Sequence, residues 1–282
     1  MLFATTTLAA RIERADCSLL SESVRAVGRL RPEADVMVKP VGGGVATYSG
    51  EGSPLNKVAG LGFEGPVTEA QLAEVERLYA DRHTPVQVEL SCLADPAVGA
   101  TLTSRGYQLV GFENVLGREL STEGLTSYVM PPDVAITVSD DQDFATWLDT
   151  VVEGFATPDG RGVPSHESFP KDALERVMSD MAQTEGLVRY LAVREGEPAG
   201  GGSMRLSGGI AQLCGAATLP EHRRRGVQTA LLARRLADAA HAGCDVAVVT
   251  TQPGSKSQEN VQRRGFELLY TRAILVREPV GS

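Results

Sequence analysis

Three arginines followed by a glycine separate a run of small and apolar residues from a run with helical periodicity. Residues 209–219 predict a strand, and Leu231, Leu232 and Leu236 recur at helical spacing after Gly226. The first backbone N–H groups of a helix lack intrahelical acceptors and lie at the positive end of the helix dipole. Gly226 lets an anion approach the backbone, because a Cβ would block it. The segment therefore predicts a phosphate-binding loop.

The elements after this loop are also readable from the sequence. The helix is expected over residues 227–242 and to end at Gly243. Residues 244–251 predict a buried strand of the parallel type. A short helix from Ser257 to Arg264 then leads to an Arg-Gly-Phe sequence and a closing strand of alternating pattern.

This loop and this order of elements resemble the GCN5-related N-acetyltransferases (GNAT), in which an Arg/Gln-x-x-Gly-x-Gly/Ala loop binds the pyrophosphate of acetyl-CoA. Arg223 and Gly226 match that motif, whereas Gln228 stands where the family has Gly or Ala. The resemblance covers roughly residues 134–278. It implies acetyl-CoA as co-substrate, bound by Ala217, Thr218, Leu219, Arg223, Arg224, Arg225, Gly226, Val227, Gln228, Thr229, Ala230 and Asn260.

The chain also repeats itself. Residues 103–119 align with residues 262–278 at an offset of 159, and the same offset places residues 68–82 on the helix after the arginine loop. We interpret residues 1–125 as a degenerate GNAT-like domain and residues 133–282 as the catalytic domain. The expected class is α/β (α+β), with each domain a mixed, mostly antiparallel twisted sheet flanked by helices. Residues 121–133 are rich in Ser, Thr, Gly and Pro, a composition that predicts the linker between the two domains.

The first copy is not expected to bind a pyrophosphate. Glu64, Pro66 and Glu69 stand at the positions of Arg223, Arg225 and Gln228. Two carboxylates would face the anion, and proline has no N–H to donate. Thr68 instead predicts an ordinary helix N-cap. One cofactor site per chain follows, with the first copy left to support the fold, shape the acceptor cleft or pair subunits.

The resemblance implies direct transfer of an acetyl group to an amine in a ternary complex. Such a reaction needs a base for the ammonium group, and a donor for the oxyanion, for which the resemblance implies a backbone N–H near Ala217. Many relatives carry a tyrosine where this chain has Val261, and the strand before the loop lacks a carboxylate. Glu221 and Tyr270 are the catalytic candidates, although a helix-start charge and a strand aromatic explain them equally simply.

The acceptor is expected at the polar loop of residues 153–170, which is interrupted by Pro and Gly. The candidates for contact with a cationic acceptor are Glu153, Phe155, Asp159, His166 and Glu167. Solvated loop polarity is the plainer interpretation of the charged ones, and Phe155, like Trp147, also fits a helix core.

Composition limits the other possibilities. The net charge of −9 argues against a nucleic-acid partner, and no apolar run approaches membrane-spanning length. The start shows no secretion signal, and the four cysteines and four histidines are scattered, so we expect a cytoplasmic protein without disulfides or a metal site. The expected enzyme acts on a small-molecule amine as a monomer or homodimer. The alternatives are a non-catalytic acyl-CoA-binding sensor and an interaction scaffold.

Overall fold

The computed structural model describes residues 2–121, 131–158, 160–163 and 169–279. Within these ranges the chain forms seven α-helices and eleven strands. The helices are α1 (Thr6–Leu30), α2 (Glu69–Ala80), α3 (Pro96–Ser104), α4 (Phe144–Ala156), α5 (Lys171–Met181), α6 (Val227–His241) and α7 (Lys256–Gln262). The strands are β1 (Met37–Val41), β2 (Gly44–Tyr48), β3 (Lys57–Ala59), β4 (Val86–Ser91), β5 (Gln108–Glu119), β6 (Val134–Val138), β7 (Leu187–Arg194), β8 (Glu197–Ser207), β9 (Ile210–Thr218), β10 (Val246–Thr251) and β11 (Glu267–Arg277).

All eleven strands belong to one sheet, in the order β1-β2-β3-β4-β11-β5-β10-β9-β8-β7-β6. Most neighbours are antiparallel, and the pairs β3–β4 and β9–β10 are parallel. The α/β (α+β) class with a mixed, mostly antiparallel sheet is confirmed. The two halves of the chain share this single sheet, however, whereas the sequence predicted a sheet for each half.

The two halves are joined because each contributes its last strand to the other. Strand β11 of the second half lies between β4 and β5, and β5 of the first half lies between β11 and β10. Six residues of β5 pair with β10, from Glu119 with Val246 to Asn114 with Thr251. The sheet is therefore continuous through a pair of exchanged strands.

The internal repeat is visible in the order of the elements. When 159 is added to the bounds of α2, β4, α3 and β5, they fall on those of α6, β10, α7 and β11 to within two residues. Both copies thus run strand, helix, strand, helix and closing strand. Within the second copy, the predicted elements over 209–219, 227–242, 244–251 and 257–264 are observed as β9, α6, β10 and α7.

The hydrophobic core follows the exchange of strands. Leu116 on β5 packs among the second-half residues under α6, while Leu275 on β11 packs among the first-half residues under α2 and α3. A third group mixes both halves, with Ile12 on α1 against Val115 and Val248. Neither core is complete without residues of the other half.

Helix α1 was not predicted, and it lies across the junction. Thr5 caps its start by accepting a hydrogen bond from Leu8 N at 3.1 Å. Its buried face is largely apolar but includes Glu13, which is 1% exposed. Glu13 accepts from Arg272 Nε at 2.8 Å and from the Tyr270 hydroxyl at 2.7 Å, so the helix is held to β11 by buried charged groups.

Arg272 is the centre of this buried polar cluster. Its guanidinium is 2% exposed and also lies 2.9 Å from Asp16 on α1 and 3.4 Å from Glu89 on β4. Lys57 on β3 pairs with Glu89 at 2.5 Å. The cluster connects the first half to a strand of the second half, because Arg272 lies on β11.

The predicted domain boundary between residues 125 and 133 stays a prediction, and most of the predicted linker lies outside the described residues. Across the parts of the chain that the structure describes, no helix has the length and apolar character needed to cross a bilayer.

We predict that Arg272→Met destabilises the protein by about 3–5 kcal/mol, because it leaves buried carboxylates without their counter-ion. Urea denaturation at neutral pH measures the effect, and the loss should shrink in acid, where the stranded carboxyl groups bind protons. The control is Arg14→Met, which removes an exposed pair with Glu64 and should cost less than about 1 kcal/mol. Equal losses in the two variants would contradict a structural role for the cluster.

Candidate active site

The parallel strands β9 and β10 separate after three paired residues. Pairing runs from Ile210 with Val246 to Gln212 with Val248, and β9 then continues to Thr218 without pairing to β10. The backbone of residues 213–218 is thus open on one side. A cleft bordered by unpaired strand backbone can bind an extended ligand through main-chain hydrogen bonds.

The free part of β9 is bulged on its other side. Gly201 pairs with Ala217 and Ser203 with Cys214, so Gly215 and Ala216 together face the single residue Gly202. Gly215 has φ of 57°, in the left-handed region that favours glycine. The bulge changes the direction of the backbone groups at the point where the strands separate.

Arg235 lies directly behind this bulge. A Cβ on Gly202 would lie 3.2 Å from both Ala216 Cβ and Arg235 Nη1, so the guanidinium and the bulge are in contact through that glycine. Arg235 is 2% exposed, donates to Ser203 O at 3.1 Å, and has no carboxylate partner within the described residues. Burial lowers the pKa of Arg235 to about 10. The Arg235 side chain thus places a positive charge next to the opening between β9 and β10.

The arginine loop has a strained backbone that opens onto the first turn of α6. It begins with a 3-10 turn at Pro220–His222, after which Arg224 has φ of 62° and Gly226, the N-cap of α6, has φ of 83°. Left-handed conformation is rare for arginine and concentrates at functional sites. No side chain caps the N-terminus of α6. Its N–H groups therefore remain available to an anion.

The three arginines differ in their environments. Arg224 and Arg225 are exposed and form no ion pair within the described part of the chain. Arg223 instead donates to the carbonyl oxygens of Thr218, at 3.2 Å, and of Thr157. The side chain of Arg223 therefore connects the end of α4 to the loop, and its contact with the cofactor stays a prediction.

The other predicted cofactor residues take several positions. Val227 and Ala230 are buried in the core, so only their backbone is available to a ligand. The Leu219 N–H already donates to Ala199 O at 3.0 Å, which excludes it as a ligand donor. Thr218 Oγ1 lies 3.3 Å from Gln228 Oε1 across the base of the loop. Four of the predicted cofactor residues are partly exposed around the opening, namely Thr218, Gln228, Thr229 and Asn260.

Tyr270, one of the two predicted catalytic residues, lies away from the opening between β9 and β10. It is 3% exposed, lies on β11 beneath α1, and donates to Glu13. Burial and the neighbouring carboxylate of Glu13 raise its pKa far above the usual range for tyrosine. Its position two strands away from β10, on the far side of β5, separates it from the opening between β9 and β10.

Glu221, the other catalytic candidate, is exposed in the 3-10 turn before the loop. Nothing in its surroundings distinguishes it from a surface carboxylate, so its catalytic role stays a prediction.

On the acceptor side, α4 extends to Ala156 and includes Glu153 and Phe155, which were expected in a loop. Glu153 pairs with Lys171 at 2.7 Å, so its carboxylate is already partnered. Phe155 is 39% exposed at the end of α4 and is not a core residue, whereas Trp147 is fully buried as expected. Asp159, His166 and Glu167 lie outside the described residues.

The corresponding loop of the first copy is occupied by internal contacts. Glu64 pairs with Arg14, and Glu69 pairs with Arg105. Thr68 forms a capping box with Gln71, so the first turn of α2 is satisfied by its own side chains. These contacts occupy the turn that corresponds to the arginine loop, and the absence of a phosphate site in this copy stays a prediction.

Metal chemistry has no candidate centre among the described residues, since no group of three His, Cys, Asp or Glu side chains is placed to hold an ion. The sequence reasoning missed Arg235. Its signal was visible, because position 235 lies on the apolar stripe of α6 that also contains Leu231, Leu232 and Ala239.

Comparison with known proteins shows what this chain is similar to. Residues 158–266 match the model of the Acetyltransferase (GNAT) family. No curated protein sequence matches the chain significantly.

Solved structures show the same fold over the whole chain. A GCN5-related N-acetyltransferase from Kribbella flavida has 19% identity and a TM-score of 0.64, with 94% of this chain and 96% of that chain covered. A tandem GNAT protein from the clavulanic acid biosynthesis pathway has 15% identity and a TM-score of 0.63, with coverage of 100% and 98%. A GCN5-related N-acetyltransferase from Sphaerobacter thermophilus has 15% identity and a TM-score of 0.54, with coverage of 87% and 76%. Residues 158–266 are therefore similar to the Acetyltransferase (GNAT) family, and the chain as a whole has a fold similar to that of a tandem GNAT protein.

Proposed function

We propose that this protein is an N-acetyltransferase that transfers the acetyl group of acetyl-CoA directly to a primary amine of a small molecule. The observation that carries the proposal is the uncapped N-terminus of α6, with Arg224 and Arg225 exposed beside it, at the mouth of the opening between β9 and β10. This arrangement offers backbone donors and positive charge to a pyrophosphate, and unpaired strand backbone to an amide-containing arm.

The residues present fit an acyl-CoA. Backbone N–H groups of residues 226–229 and the side chains of Arg224 and Arg225 would hold the pyrophosphate. Residues 213–218 of β9 would hold the pantetheine arm, and Asn260 on the half-buried face of α7 remains a candidate contact. When bound, acetyl-CoA supplies an activated thioester.

The chain contributes electrostatic stabilisation at the bulge. A backbone N–H near Ala217 would donate to the oxyanion that forms when the amine attacks. The buried guanidinium of Arg235, in contact with Gly202 behind the bulge, adds positive potential where that negative charge develops. Fixed dipoles and charges of this kind are worth more in a low-dielectric site than in water.

The second candidate function is an acyl-CoA sensor that binds without turnover. It is favoured by the burial of Tyr270, the surface position of Glu221 and the pairing of Glu153, which leave the described residues of the second copy without an obvious base. Release of free CoA thiol in the presence of a panel of amines distinguishes an enzyme from a sensor. For the enzyme we propose cytoplasmic action as a monomer or homodimer.

We predict that calorimetric titration with acetyl-CoA gives one site per chain, and that Arg225→Glu weakens binding by about 10–100-fold, because the reversed charge repels the pyrophosphate. The control is Arg29→Glu, the same charge change at an exposed residue at the end of α1, which should bind as the native protein does. Two sites per chain would contradict the loss of the site in the first copy, and no binding to the native protein would overturn the proposed function.

We also predict that Gly226→Ala weakens acetyl-CoA binding by about tenfold or more, a change of about 1.4 kcal/mol. A Cβ at this residue would lie 2.7 Å from Pro131 Cγ, and its φ of 83° is strained for alanine. The control is Gly243→Ala, which has φ of 81° and no heavy atom within 4 Å of the added Cβ. Thermal denaturation should show a loss in both variants, whereas calorimetry should show weaker binding in Gly226→Ala alone.

A further inference from the structure

Among its described residues the second copy shows no side chain whose surroundings mark it as a base, and the strand beside β10 belongs to the first copy. Strand β5 pairs with β10 as far as Asn114 with Thr251, where β10 ends. Glu113 is the next residue of β5, and it lies just beyond the end of β10. The exchange of strands therefore places a first-copy carboxylate at the same end of the sheet as the opening between β9 and β10.

Register shows which face of the sheet Glu113 occupies. Gln212, where β9 and β10 separate, pairs with Val248, and Thr250 pairs with Val115 on β5. Because side chains alternate between faces, Gln212, Val248, Thr250, Val115 and Glu113 all lie on one face. Val115 and Val248 pack against α1, so this is the face covered by α1.

Helices α4 and α5 lie on this same face. Ser203 and Arg205 on β8 alternate with Gly202, behind which α6 lies. Arg205 reaches Ser18 on α1 at 3.1 Å, and the Cε atom of Met178 on α5 lies 3.1 Å from the Cβ that Gly215 lacks. Helices α4 and α5, the bulge and Glu113 therefore lie on one face of the sheet.

Glu113 is half-buried and forms no ion pair within the described part of the chain. The charged groups around Glu113 include more carboxylates than cations. Four carboxyl groups share two cations here. The carboxyl groups are Glu13 and Asp16 on α1, Glu89 on β4 and Glu113 itself, and the cations are Lys57 on β3 and Arg272 on β11. Glu13, Asp16 and Glu89 already form ion pairs with Arg272 or Lys57. Glu113 is therefore the carboxyl group left to exchange a proton.

A second observation marks this region as unsatisfied. Gln212 is 6% exposed, its Oε1 has no hydrogen-bond partner, and its Nε2 lies 3.5 Å from Asp16 Oδ1. Glu13 Oε2, on a residue 1% exposed, also has no partner. Buried acceptors without donors are costly in a folded protein, and a cationic amine brings the donors that they lack.

We infer that Glu113 accepts the ammonium proton of the acceptor amine, so that the first copy completes the active site of the second. This inference rests on the proposed function. The Glu113 carboxylate takes one proton from the ammonium group, the freed nitrogen forms the amide bond as the C–S bond breaks, and the second nitrogen proton goes to the departing thiolate. Glu113 then returns its proton to solvent, so that the products are amide, CoA thiol and one proton.

The acidity of Glu113 suits this role. Burial is the main cause that raises the pKa of Glu113 to about 7, followed by the charge of Glu89 and, to a smaller extent, that of Asp16. The positive charges of Lys57 and Arg272 act in the opposite direction. A base with a pKa near the working pH combines a populated carboxylate with a useful driving force for proton transfer. Activity should therefore rise as the pH increases through about 7.

The test compares native protein, Glu113→Gln, Glu113→Asp and the control Glu119→Gln, a change of the same kind at the exposed end of the same strand. Release of CoA thiol is followed with the amine panel, and with water as acceptor, between acidic and alkaline pH. Calorimetry with acetyl-CoA is run on each protein.

We expect Glu113→Gln to bind acetyl-CoA as the native protein does, to lose about 100-fold or more in kcat, and to lose the rise near pH 7. Glu113→Asp should retain part of the rate and the pH dependence, and Glu119→Gln should retain both. Unchanged turnover and pH profile in Glu113→Gln would overturn the inference. If the native protein binds acetyl-CoA but releases no thiol, the proposed catalysis and the role of Glu113 as its base are both overturned. If the native protein does not bind acetyl-CoA, the proposed function itself is overturned.

Discussion

The buried guanidinium of Arg272 is the interaction on which the arrangement of the two copies depends. It lies on a strand of the second half, yet its partners Glu13, Asp16 and Glu89 belong to the first half. A buried charge set of this kind contributes little net stability compared with an apolar core, but losing one member is expensive. Such contacts therefore favour one register of β11 over its alternatives, since a shift by one residue would place Arg272 on the opposite face.

The proposed cofactor site depends on a different principle, which is the use of backbone groups rather than side chains. The first turn of α6 and the unpaired edge of β9 present N–H and C=O groups that the fold itself leaves unsatisfied. Arg223 maintains this arrangement by donating to backbone carbonyls of Thr157 and Thr218. The first copy closes the equivalent turn with Thr68 and Gln71, which shows how few residues separate an anion site from a satisfied helix start.

Local signals made much of the second copy predictable from the sequence. Gly226, Gly243 and the apolar spacing of α6 each specify backbone conformation or burial within a few residues, and the structure agrees with them. The exchange of β5 and β11 was not predictable in this way, because both strands have the same alternating pattern and nothing local selects their neighbours. The position of Tyr270 follows from this exchange, since β5 separates β11 from β10 and α1 covers the tyrosine. Arg235 was the exception, a charged residue visible on an apolar stripe.

The exchanged strands also explain why a copy without a phosphate site is retained. The closing strand β11 of the second half lies between β4 and β5, so the edge of β10 would be unpaired without β5, which covers it along its full length. The same strand continues past β10, so that covering the edge and delivering a side chain to the cleft are consequences of one pairing. Residues 114–119 of β5 are held by β10, while residue 113 lies free of it. The first copy is then subject to two constraints, packing and chemistry, and neither requires its own anion-binding loop.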